Sequence, residues 1–146
     1  MLKGISKLLT GDMLKALCDM GHGDTLVIAD ANFPAETVAK RLIRCPGLSG
    51  LDVLEALAPL FPLDTYVDEP AQVMDLTDSD KAAGMPVPVI WGEYLQILKK
   101  HYGEDASLGM TERFAFYDKA KEAYLVIQTG EERQYGNLIL SKGVVK

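Results

Sequence analysis

Gly21-His22-Gly23-Asp24-Thr25-Leu26-Val27-Ile28-Ala29-Asp30-Ala31 decides how the rest of the chain is read. Thr25 to Ala29 carries no charge and is too short for an ordinary helix. A continuous apolar run with β-branched residues suits a strand buried on both faces, as in a parallel sheet. Open α/β sheets bind ligands at the carboxyl ends of their strands, which is where Asp30 falls. His22 lies between two glycines at the other end, where the backbone can turn sharply and leave the ring accessible.

Working outward, helix and strand signals alternate. Asp12 is a candidate cap for a first helix carrying Met13, Leu14, Leu17 and Cys18, with Gly21 as its stop. Pro34 suits the first turn of a second helix reaching about Lys40. Leu42-Ile43 is a short strand candidate closed by Pro46-Gly47. Ser49 and Asp52 have capping-box spacing before Leu51, Leu54, Leu57 and Ala58, and Pro59 and Pro62 end that helix. Asp64–Pro70 is acidic and turn-like, and Gln72–Leu76 is a strand candidate. Thr77–Pro88 is expected to be a surface loop. Helices are expected from about Trp91 to Tyr102 and from Glu112 to Glu122, then strands at Tyr124–Ile127 and Leu138–Leu140. With no internal repeat and no linker, the pattern predicts one three-layer α/β domain over residues 1–146, its mostly parallel central sheet flanked by helices.

Composition excludes several classes. The chain has 146 residues, enough for a single domain with a real core. Its net charge is −6 and it has no dense Lys/Arg run, which argues against nucleic acid and against an anionic membrane surface. No apolar stretch approaches the ~20 residues of a membrane span, and the N-terminus lacks a signal-peptide core. The two cysteines, Cys18 and Cys45, lack metal-ligand spacing. Reduced thiols in a cytoplasmic protein are the expectation.

The chemistry-bearing residues form a small polar set. An imidazole such as that of His22 suits giving and taking a proton; the other reading is a simple bond to a carbonyl at a helix end. Asp30 suits a ligand contact or a turn cap before Pro34, and the two roles are compatible. Arg113 and Tyr117, four apart on a helix, share a face, which points Phe114 and Phe116 toward the core. Tyr135 and Asn137 project to one side if extended, and Gly136 then lets a ligand approach the backbone. His101 belongs at a helix end, in a structural role. Lys119, Lys121, Glu122 and Glu131-Glu132-Arg133 are expected to be a solvated face. There is no phosphate-cradling loop, dinucleotide fingerprint or zinc cluster, so no cofactor or metal is expected. The inventory suits proton transfer on a small polyhydroxylated ligand. One difficulty stands out: five extended residues put roughly 17 Å between the His22 loop and Asp30 at ~3.3 Å per residue. One pocket can hold both only if the loop folds back or two subunits meet.

Five pieces, in order along nearly the whole chain, resemble the fucose mutarotase and ribose pyranase family (RbsD/FucU). They are Met1-Leu2-Lys3, Leu17 through Asp24, Asp30-Ala31-Asn32-Phe33-Pro34, Arg113–Tyr117, and Thr129-Gly130-Glu131 leading to Tyr135-Gly136-Asn137-Leu138-Ile139-Leu140. Thr77–Ser107 matches least. The resemblance implies exchange between anomers of a free sugar, with His22 and Tyr117 catalytic and Asp30, Arg113, Tyr135, Gly136 and Asn137 holding the monosaccharide. Arg113 stands where the ribose branch tends to carry histidine, which favours L-fucose. Asn32 and Glu112 depart from the fucose pattern. The resemblance also implies a homo-oligomer, a decamer with pockets at subunit contacts. The alternatives are a D-ribose pyranase, a non-catalytic sugar-binding protein associated with transport, and an interaction module whose pocket is incidental.

Overall fold

A computed structural model describes all residues, Met1–Lys146. The elements run α1 (Gly11–Asp19), β1 (Thr25–Ala29), α2 (Ala35–Val38), β2 (Leu42–Cys45), α3 (Gly50–Leu57), β3 (Ala71–Met74), α4 (Asp78–Ala82), α5 (Val89–Tyr102), β4 (Gly109–Thr111), α6 (Arg113–Glu122), β5 (Leu125–Thr129) and β6 (Leu138–Ser141). A single 3-10 turn, Ala58–Leu60, follows α3. The six strands form one sheet in the order β2-β5-β1-β6-β3-β4. β1 is central, parallel to β5 and antiparallel to β6. β6 also runs antiparallel to β3, and it alone breaks the parallel direction of the sheet.

Alternation along β1 creates the three layers. Leu26 and Ile28 pack with Met13 and Leu17 of α1, Leu54 and Leu57 of α3, and Tyr94 and Leu98 of α5. Val27 and Ala29 face the other way, toward Val38 of α2 and Phe116 and Ala120 of α6. Both faces are covered, which is why the run shows no polar alternation. Each fully buried Leu or Ile contributes ~1.5–3 kcal/mol of transfer free energy, and this packing outweighs weak local propensities.

Local signals explain most element ends. The Ser49 hydroxyl accepts the Asp52 amide while the Asp52 carboxylate accepts the Ser49 amide, so the capping box forms as its spacing implies. Thr10, not Asp12, caps α1, through a 3.2 Å bond from the Met13 amide. Pro34 precedes α2 rather than opening it, and that helix is a single turn. Thr77–Pro88 is not a plain loop: the Thr77 hydroxyl caps α4 by accepting the Asp80 amide. β4 was missed altogether, because three residues of an edge strand carry no usable period.

Topology fixes the functional edge. The parallel strands all end on one side, which gathers Asp30 after β1, Thr77 after β3, and Arg113 after β4. β6 runs the opposite way, so its entry, Tyr135-Gly136-Asn137, lands on that same side. Gly21–Asp24 and the residues after β6 lie at the far edge, where the Gly23 amide donates to the Lys142 carbonyl at 2.8 Å. Gly23 has φ +86, a left-handed conformation that glycine adopts without penalty.

Candidate functional site

A cleft of about 630 Å³ opens at the carboxyl edge of the sheet, with Asp30, Arg113, Tyr117, Tyr135 and Asn137 in its wall. Five of the seven residues singled out from sequence therefore meet in one place. Asp30 and Asn137 form the floor and are each only 4% exposed. They hold each other: the Asp30 amide donates to Asn137 Oδ1 at 2.8 Å, and Asn137 Nδ2 donates to Asp30 Oδ2 at 2.9 Å. Asp30 Oδ1 also accepts the Asn32 amide at 3.0 Å, so the turn role and the cleft role coexist. Burial raises the Asp30 pKa above the ordinary aspartate value, against the opposing donors from Asn32, Asn137, Phe33 and Gly136.

Arg113 and Tyr117 share the exposed face of α6, with the guanidinium 5.7 Å from the Tyr117 ring centre. The Tyr117 hydroxyl is the main cause of a raised Arg113 pKa. The helix does not bury both phenylalanines, as the spacing suggested. Phe116 is buried, but Phe114 is 68% exposed, because one turn cannot aim positions two apart at one core.

Tyr135 is not extended. It has φ +60, the only non-glycine residue in the left-handed region. Its surroundings over-determine that conformation. The Trp91 indole N–H donates to the Tyr135 carbonyl at 3.0 Å, and the Tyr94 hydroxyl donates to the Gly136 carbonyl at 2.8 Å. The Tyr135 hydroxyl bonds the Asp80 carboxylate and accepts the Thr77 amide. Gly136 does not open its backbone to the cleft. A Cβ there would stand 3.0 Å from Glu131 Cγ and 3.1 Å from the Arg133 carbonyl, so its role is close packing behind the turn. Nor is Glu131 part of a solvated face. It is 5% exposed and clamped by Arg133, which binds Oε1 at 2.8 Å and also reaches Glu93. That pairing holds the Glu131 pKa below the usual glutamate value.

His22 is absent from this cleft. It sits at the opposite edge of the sheet, half exposed, with Nε2 3.3 Å from Asp64 Oδ1. The Tyr66 ring lies 5.4 Å away. Asp64 is buried, and its pKa is lowered chiefly by the Tyr66 amide, with His22 contributing. No local signal marks this pair, because its members lie 42 positions apart. Thr77, Asp80 and Gln134 in the cleft wall were missed as well. The Asp80 position lay in a segment expected to be a loop, and a short polar helix leaves no apolar stripe to detect. His101, expected at a helix end, lies in the last turn of α5 with its Nε2 3.1 Å from Glu55. No three His, Cys, Asp or Glu side chains converge on a metal-sized position. No helix is long and apolar enough to cross a membrane.

Fold and cleft together define an α/β protein that presents carboxylate, amide, guanidinium and phenol groups to a small polar ligand. Comparison with known proteins makes the class specific. The RbsD / FucU transport protein family matches residues 3–145, and the chain belongs to that family. It is similar to the fucose mutarotase of Danio rerio, 51% identical over 99% of this chain and 94% of the relative. It superposes with a TM-score of 0.91 on the fucose mutarotase of Streptococcus pneumoniae solved in complex with L-fucose, 41% identical over 99% of this chain and 100% of that one. Bacillus subtilis RbsD, solved with D-ribose, shares the fold less closely, with a TM-score of 0.68 and 29% identity over the full length of both chains.

Proposed function

We propose that this protein interconverts the α and β anomers of free L-fucose by acid–base opening and closing of the sugar ring. The observation that carries the reading is the cleft walled by Asp30, Arg113, Tyr117, Tyr135 and Asn137, in a chain similar over 99% of its length to a fucose mutarotase solved with L-fucose. The two sugar-bound relatives differ in likeness in the same direction, fucose over ribose.

The reaction needs two proton movements. A base takes the proton of the anomeric hydroxyl, the bond from the anomeric carbon to the ring oxygen breaks, and an acid protonates that ring oxygen. The open-chain aldehyde rotates about its bond to the next carbon, and reversal closes the ring on the other face. His22 performs one transfer; Tyr117 or a water performs the other. Asp64 accepts from Nε2–H of His22 and so leaves Nδ1 as the lone-pair base. Asp64 is a positioning residue. Asn137 keeps one amide N–H beyond the one it gives to Asp30, and this N–H, the Arg113 fork and the Asp30 carboxylate hold sugar hydroxyls. A tyrosine ring covers the apolar face of the sugar. Mutarotation proceeds slowly in water, and general acid–base help of ~10²–10⁴ suffices.

The far-edge position of His22 supports a site shared between subunits. Each site takes its cleft from one chain and its His22–Asp64 pair from a neighbour, in a closed homo-oligomer of decamer size. Such an enzyme works on free sugar in the cytoplasm.

Saturation-transfer NMR on equilibrated L-fucose tests the reading. Protein-dependent exchange between the α and β anomeric protons is expected, with little on D-ribose. His22→Ala removes the acceleration and leaves the fold intact, since the ring is half exposed. Exchange on ribose alone favours a pyranase, and tight binding of fucose without exchange favours a transport-linked binding protein. An active His22→Ala variant refutes the catalytic assignment.

A further inference from the structure

Asp80 of α4 stands in the cleft wall, outside the set of groups assigned to the sugar. Its Oδ2 accepts the hydroxyl of Tyr135. Its Oδ1 takes no hydrogen bond from the protein, although the side chain is only partly exposed. Tyr135 cannot swing away from it. The left-handed backbone, the Trp91 bond to its carbonyl and the Thr77 amide on its hydroxyl fix the phenol in place. Asp80 is therefore held on one oxygen and presented on the other.

Its placement complements the rest of the wall. Asp80 is among the charges acting on Arg113, and Asp30 closes the floor. A pyranose in the cleft meets a carboxylate below, a guanidinium at the side and a second carboxylate on the α4 wall. Carboxylates only accept, and each sugar hydroxyl offers one hydrogen, so an unpaired carboxylate oxygen reads a hydroxyl at a fixed position. A bond to an ionised acceptor is stronger than a neutral one, and its loss is felt when the sugar lacks that hydroxyl.

We propose that Asp80 is a specificity-determining substrate contact, accepting through Oδ1 a hydrogen bond from one ring hydroxyl of the monosaccharide while the Tyr135 hydroxyl holds Oδ2. The proposal rests on the reading of the cleft as a sugar site. It makes α4 the segment that selects among sugars.

The test uses the assembled full-length protein, L-fucose and a set of singly deoxygenated L-fucose analogues. Anomer exchange and calorimetric binding are measured for wild type, Asp80→Asn and Asp80→Ala. Asp80→Asn keeps the shape and the Tyr135 tether, so it reports even if the alanine variant folds poorly. The expected result is a half-saturation concentration for L-fucose raised about tenfold in Asp80→Asn, with the saturated exchange rate kept within a few-fold. One deoxygenated analogue binds wild type poorly, and that penalty shrinks in Asp80→Asn, since the two changes remove the same bond. A purely structural Asp80 weakens all sugars alike and leaves every analogue's penalty unchanged, which overturns the proposal. Half-saturation within twofold of wild type also overturns it. If wild type itself neither binds nor exchanges L-fucose, the sugar reading fails first and takes this proposal with it.

Discussion

His22→Ala and Asp30→Asn damage opposite edges of the sheet, and mixing the two inactive variants should restore activity. Within one chain the five residues of β1 put roughly 17 Å between the two edges at ~3.3 Å per residue, too far for His22 to reach the cleft of its own chain. On the proposed reading, each cleft in a closed assembly takes the histidine of a neighbour. A one-to-one random mixture then pairs an intact cleft with an intact His22 at about half of half, or roughly a quarter, of the sites. The variants are co-expressed with different tags, and the doubly tagged oligomers are isolated and assayed for L-fucose exchange by saturation transfer. Activity of roughly a quarter of wild type per subunit is expected, while each variant alone stays near the uncatalysed rate. If cleft and histidine came from the same chain, every site in the mixture would carry one defect. Doubly tagged oligomers with no restored exchange would therefore refute the shared site.

Two further outcomes concern the support behind the cleft. A Cβ added at Gly50 would stand 2.0 Å from the Tyr94 hydroxyl, which itself holds the Gly136 carbonyl. Gly50→Ala is expected to cost about 2–4 kcal/mol in chemical denaturation, from overpacking plus the lost hydrogen bond, and adding Tyr94→Phe should recover part of it. Glu131→Gln removes a buried carboxylate whose pKa Arg133 depresses. An acid with a lowered folded pKa stabilises above its unfolded pKa and loses that contribution as pH falls through the folded value. Wild type should exceed Glu131→Gln by about 2 kcal/mol at neutral pH, and the gap should close as pH drops below the ordinary glutamate range, followed by thermal melts across pH.

Much of the molecule was legible from local signals. Thr25–Ala29 had to be a two-face-buried strand because, after Thr25, it has no polar residue to show to water. Ser49 and Asp52 announced α3 by their spacing alone. Asp30, Arg113, Tyr117, Tyr135 and Asn137 were visible as chemistry-bearing residues beside strand or helix ends. These features depend on contacts within a few residues, and such contacts are written along the chain.

What the sequence could not contain is direction and distance. Whether β6 runs with or against β1 depends on competing pairings between remote segments, and that choice alone puts Tyr135–Asn137 beside Asp30 instead of at the far edge. The same long-range closure seats Asp64 under His22 and turns Glu131 inward onto Arg133. Glu131 looked like a solvated charge because burial is a property of what folds over a residue, not of its neighbours in sequence. The chain by itself determined its elements, its core and its reactive groups. Only the tertiary structure decided which of those groups meet, since the free energy of buried packing is summed over the whole sheet and both of its faces.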